Sequence, residues 1–137
     1  MKPLFVDTAG WIMLADESDR QHASAGAFRD LWLREGGVLL STDFVMDETL
    51  TFLRARIGLR ATERWWEQLE GSARVRWEWI DPGRAEKARQ WFFRWRDKDF
   101  SFTDCSSFVV MKQLRIREAL TNDRHLIQAG FQAFPTR

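Results

Sequence analysis

The chain has 137 residues and a hydrophobic share of 45%, enough for one domain to bury a core without disulfides or a structural metal. Its single cysteine, Cys105, excludes an intrachain disulfide and a cysteine-based zinc cluster, and the pair His22 and His125 is too few for a histidine-rich site, so any metal here must bind oxygen. The net charge of +1 hides an asymmetry of type: 17 of the 21 basic residues are Arg, the side chain suited to bidentate phosphate contacts, and four are Lys.

Pro3 to Val6 is a short apolar run that reads as a strand, with Asp7 at its end and a helix expected from Trp11 to Asp16. No window approaches the roughly 18 uninterrupted apolar residues of a membrane span. Met1 to Asp7 also lacks the basic-then-apolar pattern of a signal peptide, and a cytoplasmic protein is expected. His22 to Glu35 is patterned as an amphipathic helix stopped by Gly36 and Gly37, and Val38 to Ser41 follows as a second strand. A long helix is expected from Thr42 or Asp43 to Ile57, and another from Thr62 to Leu69. Val75 to Ile80 makes a third strand, and Pro82 opens a helix through Trp95 from the favoured first-turn position. The polar segment Arg96 to Phe100 reads as a loop. A helix from Thr103 to Leu114, a strand from Glu118 to Thr121, a short helix from Asp123 to Gln128 and a last strand from Phe131 to Phe134 complete the chain.

Short strands alternating with helices predict an α/β, three-layer sandwich: a mostly parallel, short-stranded sheet with helices on both faces. Residues 1–137 show no repeat, low-complexity stretch or linker, and a single domain is expected. Ligands in such sheets bind beyond the carboxyl ends of the strands. Asp7 and Asp123 both follow apolar strands and are expected at that edge, although each is equally suited to capping a helix. Glu48 falls in a helical stripe with Phe44, Val45 and Phe52, where a carboxylate is costly unless it is paired with an Arg or bound to a metal. Asp104 aligns with Phe108 and Met111 on an apolar face, and Ser101 to Asp104 also has the form of a capping box. One cause shared by four acids is a hard cation: Mg²⁺, or alternatively Mn²⁺, takes oxygen ligands and would relieve their mutual repulsion. The chemistry that fits such a cluster is phosphodiester hydrolysis.

The clustered arginines, Arg54, Arg56, Arg60 and Arg64 among them, suit nucleic acid but equally suit pairing with acidic neighbours on solvated helix faces. Trp65, Trp66, Trp77, Trp79, Trp91 and Trp95 fit core or dimer packing better than stacking on bases. Cys105 reads as a small buried residue, and His125 as a surface or helix-side residue, with contact to phosphate as the alternative.

Taken in order, Val6-Asp7-Thr8, Asp47-Glu48, Ser101-Phe102-Thr103-Asp104-Cys105 and Leu120-Thr121-Asn122-Asp123-Arg124-His125-Leu126 resemble the PIN domain, and within it the VapC-type toxins of prokaryotic toxin–antitoxin pairs. The resemblance spans essentially the whole chain. It implies a metal-dependent endoribonuclease with Asp7 and Asp104 as the principal Mg²⁺ ligands and Glu48 and Asp123 completing the pocket. Thr8, Ser101, Thr103 and Thr121 would support these acids. It further implies an RNA substrate, a homodimer and a cognate antitoxin whose C-terminal segment covers the site. Asn122 and Leu126 depart from the family's usual apolar or aromatic residue and Phe. An aspartyl-nucleophile phosphatase is disfavoured because Ala9 stands where its second acid belongs, and the adjacent acids of a receiver domain are absent. The remaining alternative is a catalytically inactive PIN-like interaction module.

Overall fold

The computed structural model describes residues 2–136. Strands β1 (Pro3–Val6), β2 (Val38–Thr42), β3 (Val75–Glu78), β4 (Glu118–Leu120) and β5 (Gln132–Phe134) form one sheet in the order β3-β2-β1-β4-β5, with every neighbouring pair parallel. The helices are α1 (Thr8–Ala15), α2 (His22–Arg34), α3 (Asp43–Ile57), α4 (Leu59–Glu70), α5 (Pro82–Arg94), α6 (Phe102–Gln113) and α7 (Arg124–Gln128). By the right-handed rule for parallel crossovers, the strand order puts α1–α4, which join β1 to β2 to β3, on one face and α5–α7, which return the chain to β4 and β5, on the other. Helix packing follows this division, with α1 resting on α2 and α3, α3 on α4, and α5 and α7 on α6, while α3 and α6 also meet, Phe44 against Phe102. The expected layered α/β sandwich with a parallel sheet is therefore observed.

The central strands need no polar face because helices cover both sides. Leu4, Phe5 and Val6 of β1 are fully buried, as is all of β2. Helix α6 is buried continuously from Cys105 to Met111, which accounts for its apolar sequence and settles Cys105 in the core. No helix among the described residues is long and apolar enough to cross a membrane.

Most tryptophans pack as expected. Trp11 stacks on Trp77 and meets Trp65 edge-on, and its indole N–H donates to Ser41 Oγ at 3.1 Å. Trp91 and Trp95 stack on each other beside Phe108. Trp79 differs, being 63% exposed just past the end of edge strand β3, which stops at Glu78 rather than Ile80. Phe52 is 49% exposed, so the stripe containing Glu48 turns outward at its far end instead of remaining buried. Helix α4 starts at Leu59, directly after Gly58 at φ 89°, because a glycine in that conformation breaks the chain direction in one residue and spares a longer loop.

Candidate active site

The strand order reverses at β1, whose neighbours are β2 on one side and β4 on the other. Crossovers leave that point towards opposite faces and open a crevice beyond the carboxyl ends of β1 and β4. Asp7 follows β1 directly, and Asp123 lies three residues past the end of β4.

Asp7 is the N-cap of α1, and its Oδ1 accepts from the Gly10 backbone N–H at 2.8 Å. Oδ2 accepts from Thr121 Oγ1 at 2.7 Å, which ties the loop after β4 to the end of β1. Gly10 is required by close packing, since a Cβ there would lie 2.1 Å from the Leu120 carbonyl oxygen. Asp104 occupies the third position of a complete capping box with Ser101: Ser101 Oγ accepts from the Asp104 N–H, and Asp104 Oδ2 accepts from the Ser101 N–H at 3.0 Å. Asp123 caps α7 through the His125 N–H. Capping and convergence, which the sequence offers as alternatives, thus occur together in Asp7, Asp104 and Asp123. The caps fix the carboxylates on the first turns of three helices, where the helix dipoles partly offset their charge.

His125, read from sequence as a surface or helix-side residue, turns towards the acids. Its Nδ1 is 2.8 Å from Asp104 Oδ2 and 3.4 Å from Asp123 Oδ1, so one ligating atom from each of these three residues falls within 4.8 Å of the others. The Asp-x-His spacing at the start of a short helix was its available signal, since an N-capping Asp and the residue two positions on share the first turn. Glu48 is half-buried and reaches the site by another route, accepting from Thr8 Oγ1 at 2.5 Å. Of the four supporting residues, Thr8, Ser101 and Thr121 bond to the acids as expected. Thr103 instead gives its carbonyl to Ser106 Oγ.

The electrostatics are those of a site short of positive charge. Burial raises the Asp7 carboxyl to about 7 against the opposing bonds from Thr121 and Gly10, and the Asp123 and Asp104 carboxylates push it further up. Burial raises Asp104 too, with Asp123 adding to the effect and the Ser101 N–H and His125 countering it. Among the described residues no Lys or Arg forms an ion pair with Asp7, Asp104 or Asp123. Hard oxygen donors, mutual repulsion and a missing protein counter-charge together fit a divalent cation. Cys105 is not part of that donor set, because burial and the neighbouring Asp104 push its thiol up to about 11.

This crevice in a parallel sheet, edged by helix-capping acids, is the arrangement of a PIN domain. The PIN domain family model matches residues 4–132, and the chain belongs to that family. It is 33% identical over 128 residues to the 23S rRNA-specific endonuclease VapC20 of Mycobacterium tuberculosis, in strains CDC 1551 / Oshkosh and ATCC 25618 / H37Rv, covering 93% of this chain and 95% of the relative. The crystal structure of M. tuberculosis VapC20, described as a sarcin-ricin loop cleaving toxin, superposes with a TM-score of 0.83 over the same shares of both chains. FitAcB from Neisseria gonorrhoeae shares the fold at a TM-score of 0.67 and 16% identity over 96% of each chain.

Proposed function

We propose that this chain is a metal-dependent endoribonuclease, the toxin of a VapBC-type toxin–antitoxin pair, acting through Asp7, Glu48, Asp104 and Asp123. The observation that carries this reading is the convergence of Asp7, Asp104 and Asp123 at the β1/β4 crevice, with no Lys or Arg ion-paired to them among the described residues, in a chain 33% identical to an rRNA endonuclease. The substrate class is structured RNA, with a 23S rRNA stem-loop as the first candidate. A cognate antitoxin and a homodimeric assembly complete the proposal.

Asp7 and Asp104 would hold Mg²⁺ or Mn²⁺, with Asp123 beside them and Glu48 at the rim. Such an ion, when bound, supplies Lewis acidity that lowers the pKa of water and offsets charge on a phosphate. The chain's own residues do the positioning. Thr121 and the Gly10 N–H fix both oxygens of Asp7, so its carboxylate cannot rotate away from the crevice. The Ser101 N–H and His125 hold Asp104 Oδ2 from two sides, and Thr8 aims Glu48. Fixed geometry of this kind removes reorganisation that would otherwise be needed as phosphate charge develops.

The test is cleavage of total RNA and of a 23S rRNA stem-loop by purified protein in Mg²⁺ or Mn²⁺ and in EDTA, with Asp104→Asn in parallel. Metal-dependent cutting that disappears in the variant supports the proposal. Equal cutting in EDTA, or by the variant, overturns the site. No cutting under any condition favours an inactive interaction module.

A further inference from the structure

Two cavities, of about 550 and 600 Å³, meet at Asn122 and Thr136. The first is walled by the turn between α1 and α2, including Arg20 and Gln21, and by Arg56 from α3. The second contains Asp123 itself with Arg124, Ile127 and Pro135. Adjoining at Asn122 and Thr136, the two make up a trough that borders the candidate active site at Asp123 and extends past Asn122 to the α1–α2 turn. Each half has the volume of an ordinary small-molecule pocket.

The charges along this trough differ from those of the crevice. Arg20 and Arg124 are exposed and form no ion pair among the described residues. Arg56 is held by its Nε on buried Asp16 at 3.2 Å, with Nη2 3.9 Å from Asp19, so its guanidinium is anchored at one edge while the side chain remains 49% exposed. At the junction, Asn122 Nδ2 donates to Gln21 Oε1 at 3.1 Å. This bond orients the amide of the residue immediately before Asp123 and leaves its carbonyl oxygen with no side-chain partner among the described residues. A nuclease cutting within a chain must seat nucleotides beyond the scissile phosphate. Three arginines spaced along a trough, with an oriented amide fork next to the cut, supply the two parts of single-strand recognition: phosphate contacts that position and a donor–acceptor pair that reads a base edge.

Resting on the nuclease reading above, we infer that the trough is the path of an unpaired RNA segment flanking the cut. In it Arg20, Arg56 and Arg124 hold phosphates, and Asn122, braced by Gln21, reads the base next to the scissile bond. Asn122 is then a specificity-determining residue, and the three arginines set affinity without setting sequence. An amide presents one donor beside one acceptor, and losing such a pair changes base discrimination by roughly 5- to 150-fold.

The experiment has two arms. Binding of an RNA stem-loop is followed by fluorescence anisotropy across a salt series, with Asp104→Asn as the non-cutting background. Adding Arg20→Ala and Arg124→Ala is expected to weaken binding by about tenfold or more and to flatten the salt slope by about two charges. The charge-matched control, Arg34→Ala with Arg117→Ala, lies at the amino-terminal edge of the sheet and leaves both unchanged. In the second arm, cleavage of a stem-loop library randomised around the cut is sequenced for the wild type and for Asn122→Ala. A shift in base preference confined to one position beside the cut is the expected result. If the wild type cuts while both variants keep wild-type affinity and profile, the trough is overturned and the nuclease reading stands. If the wild type binds RNA with the expected arginine dependence but never cuts, the nuclease reading fails instead. No RNA binding by any form overturns both.

Discussion

Asp7 and Asp16 stand at opposite ends of α1, and both are screened from solvent, yet their carboxyls are driven in opposite directions. Asp7 is pushed up to about 7 by deep burial and by Asp123 and Asp104. Asp16 lies under a thin cover of the α1–α2 turn and the Arg56 side chain, and is held below its ordinary value. The Ser18 hydroxyl contributes most to that, followed by the Ser18 N–H and Arg56. One acid has its counter-charge built into the fold, and the other has further acids beside it. The difference separates a carboxylate that serves structure from one proposed to hold a cation, although both look alike as an Asp at a helix boundary.

The largest expected effect comes from removing the acids that pair with no Lys or Arg among the described residues. Asp7→Asn or Asp104→Asn should reduce RNA cleavage on the order of a thousandfold, about 4 kcal/mol of barrier, while circular dichroism stays native. Asp16→Asn, with its partner Arg56 kept, should retain most of the cleavage; equal loss at all three positions would erase the comparison.

A stability measurement sharpens it. Asp7 has a folded pKa of about 7 against an ordinary 3.8, so its protonated form is favoured by folding. The associated stability is fully present below pH 4 and lost as the pH rises through 7. The metal-free protein should therefore lose roughly 1–3 kcal/mol between pH 5 and 8, part of which Asp7→Asn removes, and Mg²⁺ or Mn²⁺ should restore it. Thermal melts in EDTA and in metal check this, and a Tm that rises with pH equally in both proteins would contradict it. Asp16 has the opposite sign: its depressed pKa gives stability that is present above pH 4 and lost below it. Asp16→Ala should cost about 1 kcal/mol at pH 7, a modest figure because Arg56 is half-exposed, and the cost should shrink in acid urea melts.

Between these lies His125, whose contact with Asp104 makes it a positioning residue. His125→Gln is expected to lower cleavage about 10- to 100-fold and to weaken Mn²⁺ binding in parallel. A loss of cleavage with Mn²⁺ affinity unchanged would place its action elsewhere.

Much of this arrangement was legible in the sequence. Apolar strands ending at Asp7 and shortly before Asp123, and an apolar face carrying Asp104, follow from local pattern, and parallel-sheet geometry brings the strand ends to one edge. Glu48 was legible as an anomaly in its stripe, although Phe52 turned out to face solvent because the exposed side of α3 carries part of that stripe. What local pattern could not reveal were pairings set by tertiary distance. His125 meets Asp104 across 21 positions, and Arg56 meets Asp16 across 40. The trough is likewise invisible in sequence, since Arg20, Arg56 and Asn122 come from three separate connections or helices that only the sheet order brings together.

The most direct test of the central claim, that Asp7 belongs to a divalent-cation site, is calorimetric titration of Mn²⁺ into the protein at pH 7 in two buffers of different ionisation enthalpy. With the Asp7 carboxyl raised to about 7, binding should release a measurable fraction of a proton per ion. Asp7→Asn should abolish the proton release and weaken binding. No binding, or binding with undiminished affinity and proton release in Asp7→Asn, would contradict it.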